Sequence, residues 1–459
     1  MLGYLFQFFL AVCCFLMFVV KREYKIAILL FAFSVLSEVS LPKPLGNCSF
    51  IVPICYIVSE LPYTLRYIEG VKTKLIWWVL GIVLVSTLFY LSISPNYRST
   101  MKGIISIMII EFFGKYFILL LSFIAAANEK SLAPLTKAAY YSLIILTVFG
   151  IINFITGNAA FLDNITFGKL HGGVSAGEYY AEMKRFRVQS LYVNAFSYGY
   201  TCIMLMLLII YGYQKKIVSK NRLAVGVSMA VFGILTCACR TVLVSSIAAV
   251  VVFYMFRYSW KKSLLFLGFV SIFVFIAYYK IGIVRYIIDF ILSIFDDNSE
   301  VGGSSMELRI TQLMRVIYYI KDDWFLGRGL GFLWYDLGLK DGAVNMIDQD
   351  IKGLESVFYV YMLERGILGY ILYLIPYIMI TRYLLLRKKY CTMEVAWSIM
   401  VLAGYLIFAH MTGELRSAPE TMILLGVALR RVQDLTYGME IERERQRLNR
   451  YRYRQLSVR

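Results

Sequence analysis

MLGYLFQFFLAVCCFLMFVV (1–20) decides the fold class: twenty residues without a charge, closed off by the basic KREYK (21–25). Crossing a hydrocarbon core of about 30 Å takes roughly 20 apolar residues of helix. Blocks of this kind recur about a dozen times along the chain. A soluble core can swallow one such helix but has no means of covering a dozen. The composition agrees, with 60% hydrophobic and 16% aromatic residues and a mean hydropathy of +0.68, against about 45–50% apolar residues in a soluble domain. The chain therefore reads as an all-α, polytopic membrane protein. Its first block lacks the basic n-region and small-residue cleavage site of a signal peptide and is expected to be an uncleaved helix.

Helices are expected near 1–20, 25–41, 48–65, 75–95, 103–126, 138–156, 191–213, 222–239, 241–257, 263–283, 357–381, 395–411 and 415–431. Pro53, Pro62 and Glu60 weaken the 48–65 block, and almost no loop separates the two blocks flanking Arg240. The expected count of transmembrane helices is accordingly 12 to 14. Five regions follow: N-terminal helices 1–156, central helices 157–283 with a first outer loop, a large loop 284–356, C-terminal helices 357–431 and a basic tail 432–459.

The net charge of +18 suggests nucleic acid at first sight. The Lys and Arg, however, sit in short loops between apolar blocks and in the tail, without a basic groove, so no nucleic-acid partner is expected. KREYK (21–25), RYIEGVKTK (66–74), QKKIVSKNR (214–222), RYSWKK (257–262) and RYLLLRKKY (382–390) form one basic set, which the positive-inside rule assigns to the cytoplasm. The 157–190 and 284–356 segments then face out. The second carries twelve acids against seven Lys and Arg, a net of −5. The C-terminal stretch RRVQDLTYGMEIERERQRLNRYRYRQLSVR (430–459), with nine Arg and four acids, reads as a cytoplasmic arm lying on anionic lipid in preference to an RNA-binding one. The eight cysteines contain no CxxC pair and read as small hydrophobes, with no metal site expected.

Ionisable groups in or beside membrane helices are expensive to place and so are candidates for function. KRFR (184–187) precedes the block at Leu191, putting Arg185 and Arg187 at the outer surface, where either lipid anchoring or substrate binding explains them. Arg240 lies at an outer turn in TCACRTVLVSS (236–246) with no other charge nearby in sequence. A desolvated arginine calls for an anion, and its fork fits phosphate oxygens bidentately. In SSMELRITQLMRVIYYIKDDWFLGRGLGF (304–332), Ser304 and Glu307 form a capping box. Ile310, Leu313, Met314 and Ile317 make an apolar stripe suited to a bilayer surface, with Arg309, Gln312 and Arg315 on another face. GRGLG (327–331) reads equally as a flexible turn or an anion-binding one. Glu355, at the point of membrane re-entry, is either a base at a partly desolvated edge or a helix-dipole partner. Only two histidines are present, His171 and His410, and the chain is read as holding no P-loop, no DxD metal motif and no GxSxG elbow. This argues against His-ligated zinc and nucleotide-driven chemistry, and no cofactor is expected.

Arg187, Arg240, the Arg309 helix with its glycine turn, and the re-entry segment together resemble the O-antigen polymerase and ligase superfamily over about residues 185–430. The ligase branch carries His-[Asn/Ser/Gln], nine residues, then GxxG. Here Glu355-Ser356 is followed by residues 357–365 and then Gly366-Ile367-Leu368-Gly369, so glutamate replaces the ligase histidine and the resemblance leans to the polymerase branch. It implies a GT-C-like bundle in the inner membrane with one large periplasmic loop and an active site facing the periplasm. It further implies polymerisation of undecaprenyl-pyrophosphate-linked repeat units into O-antigen, capsule or exopolysaccharide, in contact with membrane lipids and with a chain-length regulator as partner. Pyrophosphate binding falls to Arg187, Arg240 and Arg309, with Arg185 and Arg315 as weaker candidates, and catalysis to Glu355, Arg240 and Arg309. The competing readings are a glycan ligase using the same arginines and a polysaccharide flippase. Against the flippase stands the lack of an internal repeat between the halves.

Overall fold

The computed structural model describes residues 2–42, 48–68, 71–98, 101–127, 129–157, 161–162, 165, 187–258, 260–282, 285, 288–289, 292, 306–338, 346–351, 354, 356–413 and 418–456. Among them there is no β-strand. Every apolar block forms helix: α1 (Leu2–Val19), α2 (Arg22–Val35), α3 (Cys48–Tyr67), α4 (Lys74–Ile93), α5 (Met101–Ile107, continued by Met108–Phe117 and Ile118–Ala125), α6 (Leu132–Thr156), α7 (Ala195–Gln214), α8 (Lys220–Thr236), α9 (Arg240–Arg257) and α10 (Trp260–Lys280). After the large connecting segment, which contains α11 (Met306–Ile320), come α12 (Val357–Arg387), α13 (Thr392–Thr412) and α14 (Ala418–Leu456). Eight of these helices are long and apolar enough to cross a membrane.

α7 is the hub, with 89% of its apolar window buried by neighbours. Its Tyr200 stacks on Phe408 of α13 at 4.3 Å, and its Tyr211 on Trp397 at 4.4 Å. The Trp397 indole donates to the Leu207 carbonyl at 3.0 Å. Rising numbers on one helix thus meet falling numbers on the other, so α7 and α13 run antiparallel. Lys215 and Glu394 pair at the end carrying the basic loops. Helices approach closely where one presents a small residue: Gly404 packs on Ala249 and Gly233 on Cys202. Where lipid is as apolar as the side chains, such close packing is what holds helices together. α10 lies at the opposite extreme, with only 11% of its window buried and Leu265, Phe269 and Phe275 exposed, as suits a lipid-facing surface.

Several elements depart from expectation for physical reasons. α3 forms despite Pro53 and Pro62. Its Glu60, 1% exposed, is held by Arg22 at 2.8 Å and Lys25 at 3.3 Å, which offsets the burial of its charge. α5 switches to π-winding over Met108–Phe117. α14 does not stop near 431 but continues to Leu456, because a tail rich in Arg, Glu and Gln favours helix and contains no proline. In α11 the exposed face carries Ile310, Met314 and Ile317, while Gln312, Val316 and Ile320 point inward. Leu313 is half-buried between the two. The residues grouped from sequence as the polar face are therefore partly the packing face.

Candidate functional site

Three of the expected arginines lie at one end of the bundle. Beside Arg187, the Val188 N–H donates to the Thr236 carbonyl at 3.1 Å and the Gln189 N–H to Asn153 Oδ1 at 2.8 Å, pinning this segment to the ends of α8 and α6. Four residues beyond Thr236, after a turn through Ala238 at φ 48°, Arg240 opens α9. Gly199 of α7 abuts Val242, and the next residue, Tyr200, stacks on Phe408. The start of α9 and the end of α13 are therefore level. At that end of α13, Arg309 Nη2 donates to the Met411 carbonyl at 3.1 Å, while the Arg309 carbonyl accepts from the Tyr359 hydroxyl at 3.2 Å. Arg187, whose guanidinium lies 5.6 Å from the Phe196 ring, is half-buried, as are Arg240 and Arg309.

Glu355 and Arg185 lie outside the described residues, as does His171. The neighbours of Glu355 reach the same rim: a side chain on Gly413 would meet the Leu354 carbonyl at 2.9 Å and the Ser356 nitrogen at 3.2 Å. Arg315 is engaged differently. It donates to Asp350 at 2.6 and 2.8 Å and lies 3.8 Å from Asp348; the hydrogen bond to Asp350 raises its pKa further. Tyr319, its pKa raised by burial and then by its bond to Asp348, completes the group. Asp348 and Asp350 stand at the D-x-D spacing of a metal-binding motif, contrary to the expectation that none is present; here both carboxylates serve Arg315 and Tyr319. Gly173–Gly177 likewise reads G-x-S-x-G. That pattern carries meaning only on a strand-to-helix turn, and it lies outside the described residues.

The two glycine motifs come together. α12 is broken at Gly366, which takes φ 59°, ψ −167°. A break frees carbonyls above it and N–H groups below it, and the turn after α11 satisfies them. The Arg328 and Gly329 N–H groups donate to the Leu363 and Glu364 carbonyls, both at 2.9 Å, and the Ile367 and Leu368 N–H groups to Trp324 and Phe325 at 3.0 and 3.2 Å. The Tyr90 hydroxyl takes the Arg365 carbonyl at 2.7 Å. Glu364 accepts from the Gly331 N–H at 3.1 Å. A β-carbon on Gly327 would sit 2.5 Å from the Gly366 nitrogen, so backbone meets backbone with no room for a side chain.

Under this junction lies a charged cluster that the sequence reading missed. Glu111 holds Lys115 at 2.9 Å and Arg365 at 3.4 Å, and the Arg365 guanidinium stacks 4.5 Å from the Tyr361 ring. Glu111, Tyr361 and Arg365 line a cavity with Ser86, Thr87, Tyr116 and Tyr373. The Tyr373 hydroxyl is buried without a well-formed hydrogen bond. The sequence signal was available: Glu111 and Lys115 stand four apart inside an apolar block, the setting in which intramembrane charges point to function. Attention to the outer interface alone passed them by.

His410, in the last turn of α13, donates from Nδ1 to the Leu406 carbonyl at 2.7 Å, and its Nε2 lies 2.8 Å from the Tyr370 hydroxyl. No family model matches the chain, and no curated protein matches it.

Proposed function

We propose that this protein is a GT-C-like polymerase of 12–14 transmembrane helices in the inner membrane, joining undecaprenyl-pyrophosphate-linked oligosaccharide repeat units at the periplasmic face. The observation that carries this reading is the convergence of Arg187, Arg240 and Arg309, far apart in sequence, on one end of the bundle, together with the flanks of Glu355. By the distribution of basic loops, that end faces the periplasm. The joining of GRGLG to the GxxG segment brings together the remaining features of the resemblance.

The chemistry follows from such a rim. A hydroxyl of the acceptor unit attacks the anomeric carbon of the donor; the carbon–oxygen bond to pyrophosphate breaks and its electron pair leaves with the phosphate oxygen. The leaving group already stores the driving energy. The protein's task is to position two lipid-linked sugars and stabilise charge growing on pyrophosphate. Preorganised cations aimed at such charge lower barriers by about 3–4 kcal/mol each, and arginine forks match phosphate oxygens. Glu355 is the proposed catalytic carboxylate of this step.

The break in α12 is the one observation that favours a transporter, since transporters bind substrate at discontinuous helices. Its freed N–H and C=O groups, however, are capped by the 324–329 turn and Tyr90 and so do not offer themselves to an ion.

Arg240→Ala tests the reading. Chain extension is expected to fall by about 10²–10³-fold while the protein still accumulates in the membrane. Polymer of normal length made by that variant removes Arg240 from the site. A ligase in place of a polymerase would leave long lipid-linked chains accumulating when it is lost.

A further inference from the structure

Glycosyl transfer to a hydroxyl releases one proton per bond formed, and a group near the arginine rim has to take it. The geometry points to the His410–Tyr370 pair as a proton relay for the attacking hydroxyl, a role that rests on the polymerase reading above and adds a base from α13 to it.

The arrangement is asymmetric in a useful way. The Leu406 carbonyl can only accept, so His410 Nδ1, at 2.7 Å from it, carries the ring proton. Neutral imidazole then presents Nε2 as a bare acceptor, and the Tyr370 hydroxyl at 2.8 Å donates into it. A fixed tautomer with one free lone pair is what a base requires. The phenol oxygen retains lone pairs on its other side, open to a donated hydrogen bond. The acceptor sugar hydroxyl would give its proton to the Tyr370 oxygen as its own oxygen bonds to the anomeric carbon. The Tyr370 proton moves to His410 Nε2 in the same step, and the electron pair of the broken bond leaves with pyrophosphate. The imidazolium then loses its proton to water at the rim.

Position supports the role. His410 precedes Met411, whose carbonyl holds Arg309, so the relay stands one residue from a proposed pyrophosphate cation. Both His410 and Tyr370 are half-buried, leaving part of each side chain reachable. Phe358, two residues after Ser356, packs edge-on against Tyr370 at 4.9 Å, which fixes the phenol beside the segment that carries Glu355. Tyr370 and Tyr373 of α12 stand beside the imidazole, their ring centroids 5.9 and 6.3 Å from it.

The test uses the full-length protein reconstituted with a lipid-linked repeat unit, measuring the rate of chain extension in H2O and in D2O. Two protons move as the new bond forms, so the wild-type rate is expected to fall in D2O. Tyr370→Phe keeps the ring packing and removes the hydroxyl; His410→Gln keeps hydrogen bonding and removes the base. Each is expected to lower the maximal rate by about 10²-fold at unchanged donor KM and to diminish the solvent isotope effect. Either variant running at the wild-type rate, or slowing while the full wild-type isotope effect persists, overturns the relay. An inert wild-type protein would instead overturn the polymerase reading, and the relay with it.

Discussion

Arg365 and Glu111 are separated by 254 positions in the chain yet share one buried site, and the balance of charge there is the most exposed part of the account. A carboxylate between two cations is tolerated inside a membrane bundle because each desolvation penalty is offset by its neighbours. Removing one partner of a buried pair strands the others, at a cost of about 3–5 kcal/mol. Glu111→Ala, leaving Lys115 and Arg365 without their carboxylate, should lower the thermal unfolding temperature of the detergent-solubilised protein markedly. If the cluster is purely structural, replacing all three by leucine and methionine should restore stability while leaving activity intact. Loss of chain extension in that stable triple variant would instead assign the cavity a role in function. At this scale sequence reading was least able to help: Arg187, Arg240 and Arg309 were visible because each stands near a boundary of hydropathy, whereas the Glu111–Arg365 pairing exists only once α5 and α12 are packed.

Among the elements, α12 and the turn that completes it form one unit. Each half of the broken helix leaves backbone groups unsatisfied until residues 324–329 arrive, so this turn is built into the bundle. Gly366→Ala would force a side chain into the left-handed region and against the Phe325 carbonyl. Strain of this kind costs about 1–3 kcal/mol, and the lost bonds add to it. We expect faster hydrogen exchange confined to residues 324–331 and 363–368, with α7 and α13 unaffected; unchanged exchange in those segments would contradict the coupling. Helix positions were legible where apolar length specifies them, but not for α14, which runs on past its apolar part to Leu456. The glycine motifs were legible as motifs, but their meeting was not, because nothing local in GRGLG names its partner. The inward turn of Gln312 in α11 was likewise set by neighbours.

For the whole molecule, the distribution of charge gives the bundle a direction, with basic loops at one end and the arginine rim at the other. That direction makes a simple prediction. In cells whose inner membrane is intact, a membrane-impermeant thiol reagent should label a cysteine placed at exposed Asp322 and fail to label one at exposed Lys220; the reverse pattern would turn the rim toward the cytoplasm. The central claim, that this bundle joins lipid-linked repeat units, is tested most directly by electrophoresis of the surface glycan from cells lacking the protein and from the same cells with it restored. The account predicts glycan collapsed to a single repeat unit in its absence and a ladder of chain lengths on restoration; a full ladder made without the protein would contradict it.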